Sequence, residues 1–151
     1  MHHSTQVANK LLDLANEVGV SLTPMQLIKL VYLAHGWMLA LYGRPLIRDA
    51  VQAWKYGPVI PVLYKQLRRF KADAVSGRLA VPDYQDFDAE EEDIIKQTFE
   101  NYGRKSAAYL SALTHMPGSP WSQIWDPESW AAEIPERIIR DYFSDQAARA
   151  E

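Results

Sequence analysis

The chain has 151 residues, 48% hydrophobic and 23% charged, the profile of one soluble globular domain able to bury a core without staples. It has no cysteine, which excludes a disulfide scaffold, a thiolate metal centre and a cysteine nucleophile. The formal net charge of −3 is unevenly spread: residues 1–75 hold nine Lys/Arg against four Asp/Glu, and residues 76–151 hold seven against fifteen. Either the two halves fold against each other, or the domain presents a basic and an acidic face, each open to a partner.

The first eighteen residues lack the basic region and apolar core of a secretory signal. Ser4 or Thr5 can cap a first helix running to Val18, with Val7, Leu11, Leu14, Ala15 and Val18 on one stripe and Gly19 as the stop. The second helix carries denser signals. Leu22-Thr23-Pro24-Met25-Gln26-Leu27 reads as a Thr23/Gln26 capping box, Pro24 at the first helical position and a Leu22/Leu27 staple. Gly43 then stands where a left-handed residue ends a helix. Apolar residues occur nearly all round it, which marks it as the buried, central helix. The apolar run of residues 27–42 is interrupted by Lys29 and His35 and is too short to span a membrane. A cytoplasmic protein is expected.

Val51 to Tyr56 reads as a short extended segment stopped by Gly57-Pro58, within a small two-stranded element around residues 46–56. A third helix is expected from near Val59 to Lys71, with Pro61 in its first turn. Residues 72–87 read as a surface connection. Asp88 can cap a fourth helix that ends at Gly103, with Glu90, Glu91, Glu92 and Asp93 against the positive end of its dipole. Ser106 caps a fifth. A turn at residues 116–120 leads to a short helix with Trp121 and Trp125. Pro135 opens a last helix, and residues 144–151 read as a frayed tail. The fold class is all-α, a mainly helical single domain.

Catalytic and metal chemistry find little support in these residues. His2 and His3 are adjacent, near a chain end that should be floppy, and do not converge on a metal. No zinc-protease, calcium-loop, phosphate-loop or nucleophile-elbow motif occurs. His35, on the flank of the central helix, reads as a hydrogen-bonded histidine at the core edge. His115 reads as a helix-end cap on the last carbonyls. Lys29 lies among apolar neighbours. A desolvated lysine can be a nucleophile, but it more often snorkels, pairs with a carboxylate or meets a partner. The basic run Lys55, Lys65, Arg68, Arg69 and Lys71 reads first as a solvated helix face, then as a surface for an acidic protein. The aromatics Tyr32, Trp37, Tyr42, Trp54, Tyr56 and Tyr64 suit a core and also a binding hot spot.

Set in order, these residues form a pattern: Leu27-Ile28-Lys29-Leu30-Val31-Tyr32, His35-Gly36-Trp37, Gly43-Arg44-Pro45-Leu46, Ala53-Trp54-Lys55-Tyr56-Gly57-Pro58-Val59, Val62-Leu63-Tyr64, Leu113-Thr114-His115 and Pro120-Trp121. The pattern resembles the Panacea domain, the SocA-like antitoxin or GepA-type phage-associated family, most strongly over residues 7–125. The resemblance implies one Panacea-like domain over residues 1–151, compact and mainly helical, with no added domain. It implies a non-enzymatic antitoxin, without cofactor or metal, that neutralises a toxin encoded nearby by direct protein contact. Lys29, Tyr32, Trp54, Tyr56, Gly57, Pro58, Tyr64, His115 and Trp121 match the family pattern, whether for fold or for contact. His35 departs from it, since the family often has glutamine or another polar residue there. Arg68 and Arg69 join the candidate contact residues from the basic run. Such an antitoxin would act by occluding the toxin's active surface or by delivering it to a host protease; a prophage accessory or anti-defence protein binding a host factor is the rival reading. A DNA-binding autorepressor is a third, although nucleic acid and membrane partners are not expected.

Overall fold

The structure is a computed structural model that describes residues 1–129 and 131–150. In chain order, α1 (Ser4–Glu17) and α2 (Pro24–Tyr42) are followed by the strands β1 (Gln52–Trp54) and β2 (Gly57–Val59). Then come α3 (Pro61–Leu67), a 3-10 turn (Arg68–Phe70), α4 (Ala89–Tyr102), α5 (Ala107–Thr114), α6 (Pro120–Ile124), β3 (Ala132–Glu133) and α7 (Glu136–Arg149). The domain is mainly helical, as its periodicity indicates. Its sheet has three strands among the described residues, in the order β2-β1-β3 and all antiparallel.

Helix α2 is the axis around which the others pack. It touches α1, α3, α4, α5, α7 and β2, and every residue from Leu27 to Gly36 is buried. Its start is set locally. Thr23 Oγ1 accepts from the Gln26 amide, and Gln26 Oε1 accepts from the Thr23 amide at 2.9 Å. Leu22 and Leu27, the predicted staple, are both buried. Gly43 ends the helix at φ 68°, where its amide donates to Leu39 O. Helix α4 starts by the same device, with Asp88 and Glu91 exchanging side-chain-to-backbone bonds of 2.9 Å.

Several boundaries depart from the local reading. Ser4 and Thr5 lie inside α1, and His3 occupies the cap position without a side-chain cap bond. The acceptor comes from far along the chain: Asp49 Oδ2 takes the Ser4 amide at 2.7 Å. His2 is not floppy but buried. Its amide donates to Leu46 O at 2.9 Å, its Nε2 lies 2.9 Å from the buried Glu91 carboxylate, and its ring lies 4.5 Å from that of Phe87. Gly57-Pro58 does not stop a strand but begins one, which delays α3 to Pro61. A proline is tolerated there because β2 is a sheet edge. The two-stranded element expected at residues 46–56 is thus a hairpin at residues 52–59, and β3 adds to it across β1 from about 80 residues on. Helix α7 continues past Ser144 to Arg149, in place of the expected frayed tail.

Two contacts set the spacing of the core. A Cβ on Gly36 would overlap the Phe143 ring, so α7 lies against α2 only because residue 36 has no side chain. His35, fully buried, accepts at Nδ1 from the amides of Leu46 and Ile47, each at 3.3 Å. Burial lowers its pKa to about 4, so its neutral ring is what holds the chain after α2 in place.

Candidate functional site

The β1–β2 hairpin is joined by the two-residue turn Lys55-Tyr56, which stands Tyr56 68% exposed. Gly57 follows at φ 124°, a backbone conformation that a side chain strains. A Cβ there would also lie 2.8 Å from Lys29 Nζ. The left-handed backbone selects glycine, and the close approach of the Lys29 side chain adds to that demand. The ammonium approaches that closely because Lys29, 1% exposed, reaches from α2 under the turn and donates to Pro58 O at 2.8 Å. No ion pair to Lys29 occurs among the described residues. Burial lowers its pKa to about 8. A lysine ammonium therefore sits beneath the hairpin, held by a carbonyl and with no carboxylate beside it.

The hairpin is braced from behind. Trp121 Nε1 donates to Trp54 O at 2.6 Å, and Ser111 Oγ donates to Tyr56 O at 3.3 Å. His115 Nδ1 donates to Ser111 O, and its ring meets Trp121 edge-on at 5.3 Å. Trp121 in turn stacks on Trp125 at 5.1 Å. In front, Tyr64 from α3 meets the Trp54 ring edge-on at 5.0 Å.

In front of the hairpin lies a groove of about 590 Å³ between α2, the hairpin and α3. Ile28, Val59, Trp54 and Tyr64 form mainly apolar walls, and Met25 and Tyr56 stand exposed at its edges. Its charged lining is one-signed: Lys29, Lys55, Arg68 and Lys71, with no carboxylate among the described lining residues. Lys55 Nζ also lies 5.4 Å over the Tyr56 ring. An apolar cleft rimmed by cations and aromatics is complementary in charge and polarity to a group that is itself acidic and partly apolar.

The structure sorts the sequence candidates into three places. Lys29, Trp54, Tyr56, Tyr64 and Arg68 line the groove, and Gly57 and Pro58 shape its hairpin. His115 and Trp121 hold that hairpin from the opposite side. Tyr32 is elsewhere: it is buried against Phe143 at 5.9 Å, in a smaller cavity of about 160 Å³ with Trp37, Tyr102 and Tyr142. Burial drives its pKa far above the usual tyrosine value, so its hydroxyl stays protonated in the fold. The basic run also divides. Arg68 and Lys71 reach the groove, whereas Arg69 lies 4.9 Å over the Phe70 ring and does not line it. Met25, Ile28 and Ser111 were not singled out for this site by sequence. Met25, 41% exposed, is a surface methionine at the second position of α2.

No group of three or more His, Asp or Glu that could hold a metal occurs among the described residues, and no helix among them is long and apolar enough to cross a membrane. Comparison with known proteins adds two findings. The pattern of the family described as Antitoxin SocA-like, Panacea domain, matches residues 27–122, a span that contains the sequence candidates from Lys29 to Trp121. The chain is also 35% identical over 155 aligned positions to Antitoxin SocA of Caulobacter vibrioides (strain NA1000 / CB15N), covering 93% of this chain and 81% of that one. No solved structure matches the chain.

Proposed function

The chain belongs to the SocA-like antitoxin, Panacea-domain family, and from that premise we propose that it is the antitoxin of a toxin–antitoxin pair and neutralises its toxin by direct protein contact. The observation that carries this reading is the likeness to Antitoxin SocA along nearly the whole chain. The groove supports it. Trp54 and Tyr64 present rigid aromatic faces beside Arg68, the residue types that dominate binding energy at protein interfaces. Neutralisation would then be non-catalytic, the toxin being covered or held. Lys29 has no acid or histidine beside it in the groove lining to act as a proton-transfer partner, which argues against a reaction there.

Co-expression with each protein encoded next to this gene tests the reading. Growth rescue from one toxic neighbour, with co-purification of the two proteins, is the expected result. Neither rescue nor a complex with any neighbour would remove it. Capture of a host protein, with no neighbour bound, would favour the accessory or anti-defence role.

A further inference from the structure

We propose that the groove between α2, the hairpin and α3 takes an acidic segment of the partner protein, with its carboxylates on Arg68, Lys71 and Lys55 and its apolar side chains on Trp54 and Tyr64. This deepens the binding reading above and rests on it for the partner's identity, but not for the chemistry of the groove.

Charge complementarity carries the assignment. Four cations and no carboxylate line the cleft, in a chain whose formal net charge is −3. That local excess has no compensating acid among the described lining residues. Outside the cleft, by contrast, Arg44 meets Asp88 and Glu90 at 2.8 Å each, and Arg78 meets Asp13 at 2.6 Å. Lys29 adds to the effect from below. Its charge lies in a low-dielectric floor, where its field is less screened than that of a surface lysine. An arriving carboxylate is therefore drawn by both rim and floor.

The same observations favour a protein segment over a nucleic-acid strand. A phosphate backbone needs cations along a continuous track. Here the basic run splits, with Arg69 laid on Phe70 and absent from the groove. What remains is a compact cluster around two aromatic faces, on the scale of a few side chains.

The test uses the full chain and three fluorescein-labelled probes: a peptide alternating leucine and glutamate, the same peptide with glutamine, and an oligothymidylate. Anisotropy titrations are run on the wild type, on the double variant Arg68→Glu/Lys71→Glu, and on Arg69→Glu. All three residues are exposed, so the variants leave the core intact, and circular dichroism checks this. The glutamate peptide should bind roughly tenfold or more tighter than the glutamine peptide. That preference should vanish in the double variant and persist in Arg69→Glu. Equal affinity for the two peptides, no binding of either, or an equal loss in Arg69→Glu overturns the proposal. So does tighter binding of the oligothymidylate, which would hand the groove to nucleic acid. Failure of the antitoxin reading shows in the rescue assay and leaves these titrations unchanged, so the two outcomes are separable.

Discussion

Replacing Lys29 by methionine keeps the apolar stem and removes the buried ammonium. An unfolded lysine holds its proton up to its usual pKa of 10.5, whereas the native one gives it up at about 8. Below about pH 8 both states are protonated, and stability has no slope from this group. Between about 8 and 10.5 the unfolded chain binds a proton that the native chain lacks, so stability rises with pH, by about 1.4 kcal/mol per unit. The full gain is about 3 kcal/mol, of which about 2 kcal/mol should appear by about pH 10. Tyr32 and Tyr102, whose pKa values are raised by burial, pull the other way above about pH 10, since the unfolded state loses those protons first. Both tyrosines are present in the variant, so they cancel in the difference. Urea melts followed by far-UV circular dichroism, from about pH 7.5 to about pH 10, give ΔG for each protein. The wild type should gain on Lys29→Met by about 2 kcal/mol across that window. A constant offset, such as the lost bond to Pro58 O, does not alter the slope. A difference flat to within about 0.5 kcal/mol would mean that the ammonium is well solvated and that its place beneath the hairpin has been misjudged.

At acid pH the sensitive group is His35, whose pKa burial lowers from 6.5 to about 4. Stability should fall as pH drops from about 6.5 towards 4, by about 3 kcal/mol in full, and His35→Leu should lack that slope in urea melts while starting less stable. Gly36→Ala drives a methyl into Phe143. Overpacking of about 1–3 kcal/mol should outweigh the gain in helix propensity of about 1 kcal/mol, and Phe143→Leu in the same chain should recover part of the loss in thermal melts. Asp49→Ala removes the acceptor for the first amide of α1 and should cost about 1 kcal/mol, with Asp49→Asn costing less. Trp121→Phe leaves Trp54 O without its 2.6 Å donor and should cost about 1 kcal/mol by denaturant titration, with faster hydrogen exchange in the hairpin.

Much of the helical frame was legible in the sequence, because its signals act over three or four residues. Thr23 with Gln26, Asp88, Ser106 and Gly43 each set a helix boundary through bonds to the adjacent turn, and the structure places them there, adding Glu91 as the partner of Asp88. The nearly all-round apolar face of α2 was enough to make it central. Ser4 and Thr5 misled for the same reason. They are good local caps, but Asp49, 45 positions away, supplies the acceptor instead.

What tertiary structure alone decided is what depends on direction and distance between remote segments. Composition marks Gly57 as a turn residue, but only the fold shows Lys29 Nζ where its side chain would go. A basic run reads as one face until Arg69 is found on Phe70 and Arg68 in the groove, because the 3-10 turn sends neighbouring side chains apart. Tyr32 and Lys29 lie three residues apart on one helix, yet one is in the aromatic core against α7 and the other under the hairpin. The residue types came from the sequence. Their convergence into one cationic, aromatic groove came from packing, because which side chains share a cleft is settled by contacts between elements, and no local spacing encodes those.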